Sequence, residues 1–438
     1  MSAIARTRLD AWAAEKIGGT AFSREQLERY QLAKLRATVD WALDNSPFYR
    51  DLLAGRAGTS LDSLADLSLF PFTTADDLRR HGPRFLCVSQ SDISRVVTLD
   101  SSGTTGAAKR LYFTPADREA TLAFFSYGMA NLVEKGDKVL ILLPGERPGG
   151  VGDLLATALQ RGGIRPVPHG FVRSLSATLA VIAREQTGCL VGAPAQVLAL
   201  ARWAESDGLA LPVKSVLLST DHVPRIVVSE LKRIWGCDVF EHYGMTELGL
   251  GGGTDCAAHA GCHLHEADFL FEIVDPATGV PMPAGEEGEV VVTTLVRRGM
   301  PLIRYRTGDI SRIIPGPCLC GSPLRRLAPV ARRKDGFVAL GGHGGFTLAD
   351  LDEALFAIPG LTGFTAAVDN RRRATRLTIT ASLAAAPGGE RKLSAALETV
   401  PAIRHARQAG DLAVALTVGR CRGELEPGAA KRAIVELN

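Results

Sequence analysis

Residues 101–110 read SSGTTGAAKR: hydroxyls at Ser101, Ser102, Thr104 and Thr105, glycines at Gly103 and Gly106, and a cation at Lys109. Small residues let a backbone curl closely around a ligand. Hydroxyls, backbone N–H groups and an ammonium together suit the oxygens of a phosphate chain. Two familiar phosphate loops are excluded by spacing. The nucleotide P-loop needs four residues between its glycines and then Gly-Lys-Ser/Thr, whereas Gly103 and Gly106 are separated by two and Lys109 precedes Arg110. The dinucleotide fingerprint needs three glycines. What remains is a phosphate loop of another class, or a polar hairpin loop between the apolar runs VVTL and LYFT.

A chain of 438 residues has room for more than one domain. With 46% hydrophobic and 22% charged residues it has an ordinary globular composition. A net charge of +3 gives no broad field for nucleic acid, although the basic run RRLAPVARRK (325–334) suits a local phosphorylated ligand or a solvated face. The opening MSAIARTRLDAWAAEK carries charges where a signal peptide needs an apolar core, and VLILL is too short to cross a bilayer. The expectation is therefore a cytoplasmic protein with no membrane and no nucleic-acid partner. In that compartment, clustered members of its eight cysteines read as metal ligands rather than disulfides.

The elements that must hold such a loop follow from periodicity. Residues 24–53 predict an amphipathic helix ending near Asn45-Ser46-Pro47. KVLILLP (138–144), IRPVPHG (164–170), CLVGAP and VKSVLLST read as strands. DLLATALQRG (153–162), SLSATLAVIAREQ and QVLALARWAES read as the helices between them. That alternation predicts βαβ units and a mostly parallel sheet. From about residue 268, FLFEIVD, EVVVTTLV and MPLIRYRTGDISRII read as β-segments joined by Pro/Gly turns. Helix TLADLDEALFAIPG, strands FTAAVDN and RLTITASLA, and helix KLSAALETV follow. The fold class is thus α/β: a large N-terminal domain (1–333) with mixed, mostly parallel sheets and an appended β-region, then a small mobile α+β domain (334–438).

Four stretches now stand in order: SSGTTGAAK (101–109), EHYGMTELG (241–249), RYRTGD (304–309) and ARRKD (331–335). Together they resemble the adenylate-forming superfamily, and within it most closely the phenylacetate–CoA ligase family, over nearly the whole length. The resemblance implies an ATP-dependent, AMP-forming acid–thiol ligase. Such an enzyme activates an aromatic or arylacetic carboxylate as its acyl-adenylate and passes the acyl group to coenzyme A. It implies that Ser101, Ser102, Gly103, Thr104, Thr105, Gly106 and Lys109 hold the β- and γ-phosphates. Tyr243, with Gly244, would stack on adenine, Thr246 would reach the α-phosphate, and Glu247 would ligate Mg²⁺. Asp309 would hold the ribose hydroxyls, Arg332 would approach the ribose or phosphate, and Asp221 in LLSTDHVP would lie beside the adenine. Lys109 and Glu247 are expected in polar loops, where truncation costs little stability.

In the same branch the segments DCAAHAGCH and PGPCLCG hold a structural Zn²⁺, which implies the ligands Cys256, His263, Cys318 and Cys320; His259, Cys262 and His265 are further candidates. Cys87, Cys189, Cys237 and Cys421 read as isolated small hydrophobes. Two departures from the family pattern stand out. Lys334 occupies the usual hinge aspartate and Ala331 a glycine. In the tail GAAKRAIVELN, Ala429 occupies the place of the catalytic lysine, leaving Lys431 as the nearest cation. The alternatives are an adenylate-forming enzyme with a non-CoA acceptor, or a weakened homologue that binds ATP or acyl-adenylate. A homodimer is common among similar ligases.

Overall fold

A computed structural model describes residues 4–56, 60–99, 108–334, 336–371, 374–384, 388–425 and 432–437. The chain forms two compact units, each assembled from two separated stretches: residues 1–131 with 242–330, and residues 132–241 with 331–438.

In the first unit the helix Arg24–Asn45 starts at a capping box between Ser23 and Gln26. It buries Leu27, Gln31, Leu35, Thr38, Val39 and Ala42 along one face. Ser46 then caps a second short helix, Pro47–Leu52, with proline in its first turn. The first helix thus ends at Asn45, where the sequence ends it, and the rest of the stretch 24–53 adds the second. The strand Arg95–Leu99 pairs antiparallel with Lys109–Phe113, Leu99 opposite Lys109. Three antiparallel strands, Phe269–Val274, Gly288–Thr294 and Tyr305–Ser311, form the appended β-region expected from residue 268 onward. A second antiparallel ladder runs through His242–Tyr243, Gly253–Thr254, Cys262–Leu264, Arg326–Leu327 and Ile313–Ile314.

The second unit holds five parallel strands in the order Asp238–Tyr243, Ser215–Leu218, Cys189–Gly192, Lys138–Leu142 and Arg165–Pro168. The last two residues of Asp238–Tyr243 already belong to the first unit. Val139 to Leu142 are all buried, as expected of a strand covered on both faces. The intervening helices Val151–Arg161, Leu175–Glu185, Pro194–Ser206 and Arg225–Trp235 complete the βαβ pattern.

The remainder of this unit is a four-stranded sheet in the order Leu412–Arg420, Thr375–Leu383, Leu361–Asp369, Ile434–Leu437, with helices Leu348–Leu355, Gly389–Leu397 and Pro401–Ala409. The helix Pro401–Ala409 and the strand Leu412–Arg420 lie beyond the elements that the sequence pattern separates. One hydrophobic core joins the two stretches of this unit, including Leu198 and Ala201 from the helix Pro194–Ser206 with Phe356, Leu361 and Phe364. The buried guanidinium of Arg202 donates to the carbonyls of Leu361 and Phe356, both at 2.5 Å. No helix among the described residues is long and apolar enough to cross a membrane.

Candidate functional site

Lys109 opens the strand Lys109–Phe113, and its ammonium pairs with Oε1 of Glu247. Both side chains are largely buried, 14% and 9% exposed, so neither lies in an open polar loop as the sequence suggests. The same carboxylate oxygen accepts a hydrogen bond from the Tyr305 hydroxyl at 3.0 Å. Burial acts to raise the Glu247 carboxyl, but Lys109 beside it and the hydrogen bonds it accepts leave it below its ordinary value. The site therefore holds a carboxylate biased towards its ionised form against the Lys109 ammonium.

Arg297 braces this pair from behind. It donates to the Glu247 carbonyl at 2.5 Å, and its guanidinium lies 4.7 Å from the Phe113 ring centre. Glu247 sits in the short 3₁₀ turn Thr246–Leu248, which ends at Gly249 with φ +65°. Thr121 fixes that end by donating to the Gly249 carbonyl at 2.9 Å. Thr246 is half-buried inside the turn. Gly244 is required by crowding: a Cβ there would stand 2.4 Å from both the His242 ring and the Leu250 carbonyl.

A second contact joins two of the nominated nucleotide residues. The buried Tyr243 hydroxyl donates to Oδ2 of Asp309 at 3.1 Å. Asp309 lies inside the strand Tyr305–Ser311 rather than at its end. The backbone turns there at Gly308, φ +77°, and the Asp309 N–H donates to Thr307 Oγ1 at 3.1 Å. Lys109, Glu247, Tyr243 and Asp309 all belong to the first unit. Ser101, Ser102, Gly103, Thr104, Thr105 and Gly106 lie outside the described residues, between the two paired strands. Lys431 and Ala429 also lie outside them.

The other nominated residues belong to the second unit. Asp221 follows the strand Ser215–Leu218 and its Oδ1 accepts the His222 N–H at 2.9 Å. Burial raises its carboxyl, opposed by the His222 N–H and by the charge and backbone N–H of Arg432. Arg332 is in the exposed pair Arg332–Arg333. Lys334 is likewise exposed.

The four expected metal ligands do converge. Their ligand atoms all lie within 4.8 Å of one another, and all four residues are buried. Cys256 Sγ is 3.8 Å from Cys318 Sγ, and Cys320 Sγ is 3.3 Å from His263 Nε2. The Leu324 carbonyl lies 3.3 Å from His263 Nδ1. A proton on Nδ1 leaves Nε2 as the ligating nitrogen. Burial pushes the Cys256 thiol up, opposed by the Ala258 N–H, which donates to Cys256 Sγ at 3.4 Å. Tetrahedral zinc with bonds of about 2.3 Å separates two sulfurs by about 3.8 Å, so the donor set fits zinc. The extra candidates are placed elsewhere: His259 contacts Asp255 at 2.8 Å, Cys262 packs in the core beside Leu264 and Phe271, and His265 stacks on Trp12 at 4.0 Å. Cys87, Cys189, Cys237 and Cys421 are buried singly, as expected.

Tyr305 and Arg297 carry no role in the sequence reading. Tyr305 is recoverable in principle, since residues i and i+4 of a strand share a face and Asp309 was already nominated. Nothing in the spacing around Arg297 distinguishes it from Arg298.

Residues 94–295 match the AMP-binding enzyme family. The chain is 31% identical to the phenylacetate–coenzyme A ligase of Pseudomonas putida over 73% of each protein. It is 29% identical to that of Thermus thermophilus over 77% of this chain and 76% of the relative. Its fold is similar to a crystal structure of 2-hydroxyisobutyryl-CoA ligase in the postadenylation state, with a TM-score of 0.75 at 20% identity, covering 94% of this chain and 89% of that one. With that identity and coverage to the Pseudomonas putida enzyme, the chain belongs to the phenylacetate–coenzyme A ligase family of AMP-forming carboxylate–coenzyme A ligases.

Proposed function

We propose that this ligase activates an aromatic or arylacetic acid, with Lys109, Glu247, Tyr243 and Asp309 as the described centre of its ATP site. The observation that carries the reading is the buried Glu247 carboxylate, paired with Lys109 at the start of the strand that follows the Ser/Thr/Gly loop and accepting from Tyr305. An acid oxygen attacks the α-phosphorus, the bond to the β-phosphate breaks and pyrophosphate leaves. The thiol of coenzyme A then attacks the acyl carbonyl and AMP leaves, giving the thioester.

Lys109 and the loop before it place positive charge and donors where phosphate charge is redistributed. Asp309, oriented by Tyr243, accepts from the ribose hydroxyls. Thr246 supplies a hydroxyl to the α-phosphate, while Asp221 and Arg332 serve the nucleotide by resemblance. Glu247 offers the hard oxygen that Mg²⁺ prefers, and the ion would supply charge neutralisation at the phosphates. Cys256, His263, Cys318 and Cys320 hold a structural zinc. Eight free thiols suit a reducing compartment such as the cytoplasm.

The test is ATP-dependent pyrophosphate release with phenylacetate, 4-hydroxyphenylacetate and benzoate, followed by identification of the thioester when coenzyme A is added. Acid-dependent release that Glu247→Gln lowers about 100-fold or more is the expected result. Release without any thioester would exclude coenzyme A as acceptor, and full activity in Glu247→Gln would remove the assigned site.

A further inference from the structure

The helix Leu9–Ile17 buries Leu9, Trp12, Ala13 and Ala14, and together with Thr7 it meets each of the three segments that carry the four metal ligands. At the turn of Cys318 and Cys320, the Ser322 hydroxyl donates to Oδ1 of Asp10 at 2.5 Å. Burial raises the Cys320 thiol, opposed by hydrogen bonds from the backbone N–H groups of Ser322 and Thr7, which puts the buried Thr7 amide at that sulfur. At the loop of Cys256, Asn131 is the link. Its Oδ1 accepts the Arg8 N–H at 2.8 Å, and its Nδ2 donates to Thr7 Oγ1 at 3.3 Å and to the Asp255 carbonyl at 3.2 Å. Asp255 in turn accepts the Cys256 N–H at 2.8 Å. Two residues beyond His263, the buried His265 stacks on Trp12, and Lys16 pairs with the buried Asp268 at 3.2 Å.

A metal-bound thiolate accepts a stronger hydrogen bond than a thiol, because the bond is charge-assisted. Metal loading therefore strengthens the Thr7 contact directly. It also joins the Ser322 turn to the Asp255 loop, since each is continuous with a ligating cysteine. Those are the two grips on the start of the helix. Groups one step out from a metal commonly change its affinity about 10–100-fold. By linkage, whatever the ion adds to docking of the helix, the docked helix adds to binding of the ion.

We propose that Thr7, Asp10 and Asn131 form the outer shell of the zinc site, and that zinc occupancy latches the helix Leu9–Ile17 onto the first unit. This role rests on the zinc reading above. Every contact in it lies within one compact unit, residues 1–131 with 242–330. Without the ion, the turn and the loop lose the bonds that join them, while the stacking of Trp12 on His265 and the pairing of Lys16 with Asp268 remain. The helix then opens locally, at less cost than unfolding the unit.

The full chain, zinc-loaded or stripped with a chelator, is digested briefly with trypsin, and the fragments are identified by mass. Cutting after Arg8 and Lys16 is expected to be about fivefold faster or more in the stripped protein, because cleavage follows the population of the open form. Cutting after Arg184 and Arg233, in the second unit, should stay within about twofold. The reverse direction is read in zinc-loaded Asp10→Ala and Asn131→Ala, neither of which touches a ligand atom. Transfer of zinc to a colorimetric chelator is expected to be about tenfold faster or more in both. Unchanged cutting after Arg8 and Lys16 on stripping would overturn the latch, as would digestion that spreads equally through the second unit. Zinc transfer at the wild-type rate in both variants would overturn the outer-shell role. A wild type that takes up no zinc from a zinc salt would overturn the zinc reading first and this role with it.

Discussion

Truncating Lys109 would leave Glu247 with a buried charge and, among the described residues, the Tyr305 hydroxyl as its remaining side-chain donor. Breaking a buried pair from one side costs on the order of 3–5 kcal/mol, because an uncompensated charge stays behind. Lys109→Ala is therefore expected to lower stability as well as turnover, with Lys109→Ala/Glu247→Ala less destabilised than the sum of the two single changes. A double-mutant cycle in urea, run without nucleotide, measures this coupling. Additive losses would show that the pair contributes nothing to folding. In the sequence both residues read as loop chemistry, because residue type reveals what a side chain does to a phosphate but not how deeply it is set. The contact between Tyr243 and Asp309 is legible only in part. Each residue belongs to a recognisable motif, whereas their meeting depends on which strand follows which in space.

Asp352 connects the residue scale to its helix. Burial, opposed by Arg432 and reinforced by Asp221 and Glu353, pushes its carboxyl up to about 7, with His222 acting on the neighbouring Asp221. A group raised in the folded state stabilises the fold in its protonated form. Its contribution is complete below the ordinary carboxylate range and is lost as pH rises through about 7. The wild type should thus lose stability between about pH 5 and pH 8, by on the order of 1–4 kcal/mol from this group. Asp352→Asn should show a flatter slope over that range. Urea melts of both proteins at the two pH values check this, and identical slopes would contradict it.

The metal ligands also act on elements, joining the loop at Cys256 and the strand Cys262–Leu264 at His263 to the turn at Cys318 and Cys320. About one zinc per chain is expected from protein purified without added metal. Cys318→Ser should lose that zinc and melt several degrees lower, since metal binding is folding free energy. Metal analysis with a melting curve checks both. The ligand set was legible in the sequence only through resemblance. Choosing among seven candidate cysteines and histidines needed the fold, which sends His265 to Trp12 and His259 to Asp255.

At the scale of the molecule, the parallel layer was the most readable part. Its strands are short, largely apolar runs, its helices are amphipathic, and each lies between clear breaks. Less readable was which stretches share a core. Residues 334–438 look self-sufficient by their alternating helices and strands, yet Phe356, Leu361 and Phe364 pack with Leu198 and Ala201. Local periodicity shows that a face is apolar without naming what covers it. Arg202 illustrates the gap: QVLALARWAES reads only as a helix, whereas its arginine is buried with Glu230 and two distant carbonyls as partners.

That arrangement constrains how the protein is born. Leu361 lies 159 positions after Arg202, and ribosomes add about 5–20 residues per second. For roughly 8–30 s of synthesis, the helix Pro194–Ser206 must therefore present its apolar face, with Arg202 able to reach Glu230 but not the Leu361 carbonyl, before its cover has been translated. A nascent chain in that interval is a natural client for chaperones that hold hydrophobic segments. A ribosome stalled within the segment that follows residue 241 would leave the parallel layer sticky, whereas release of residues 361 onward would quench it.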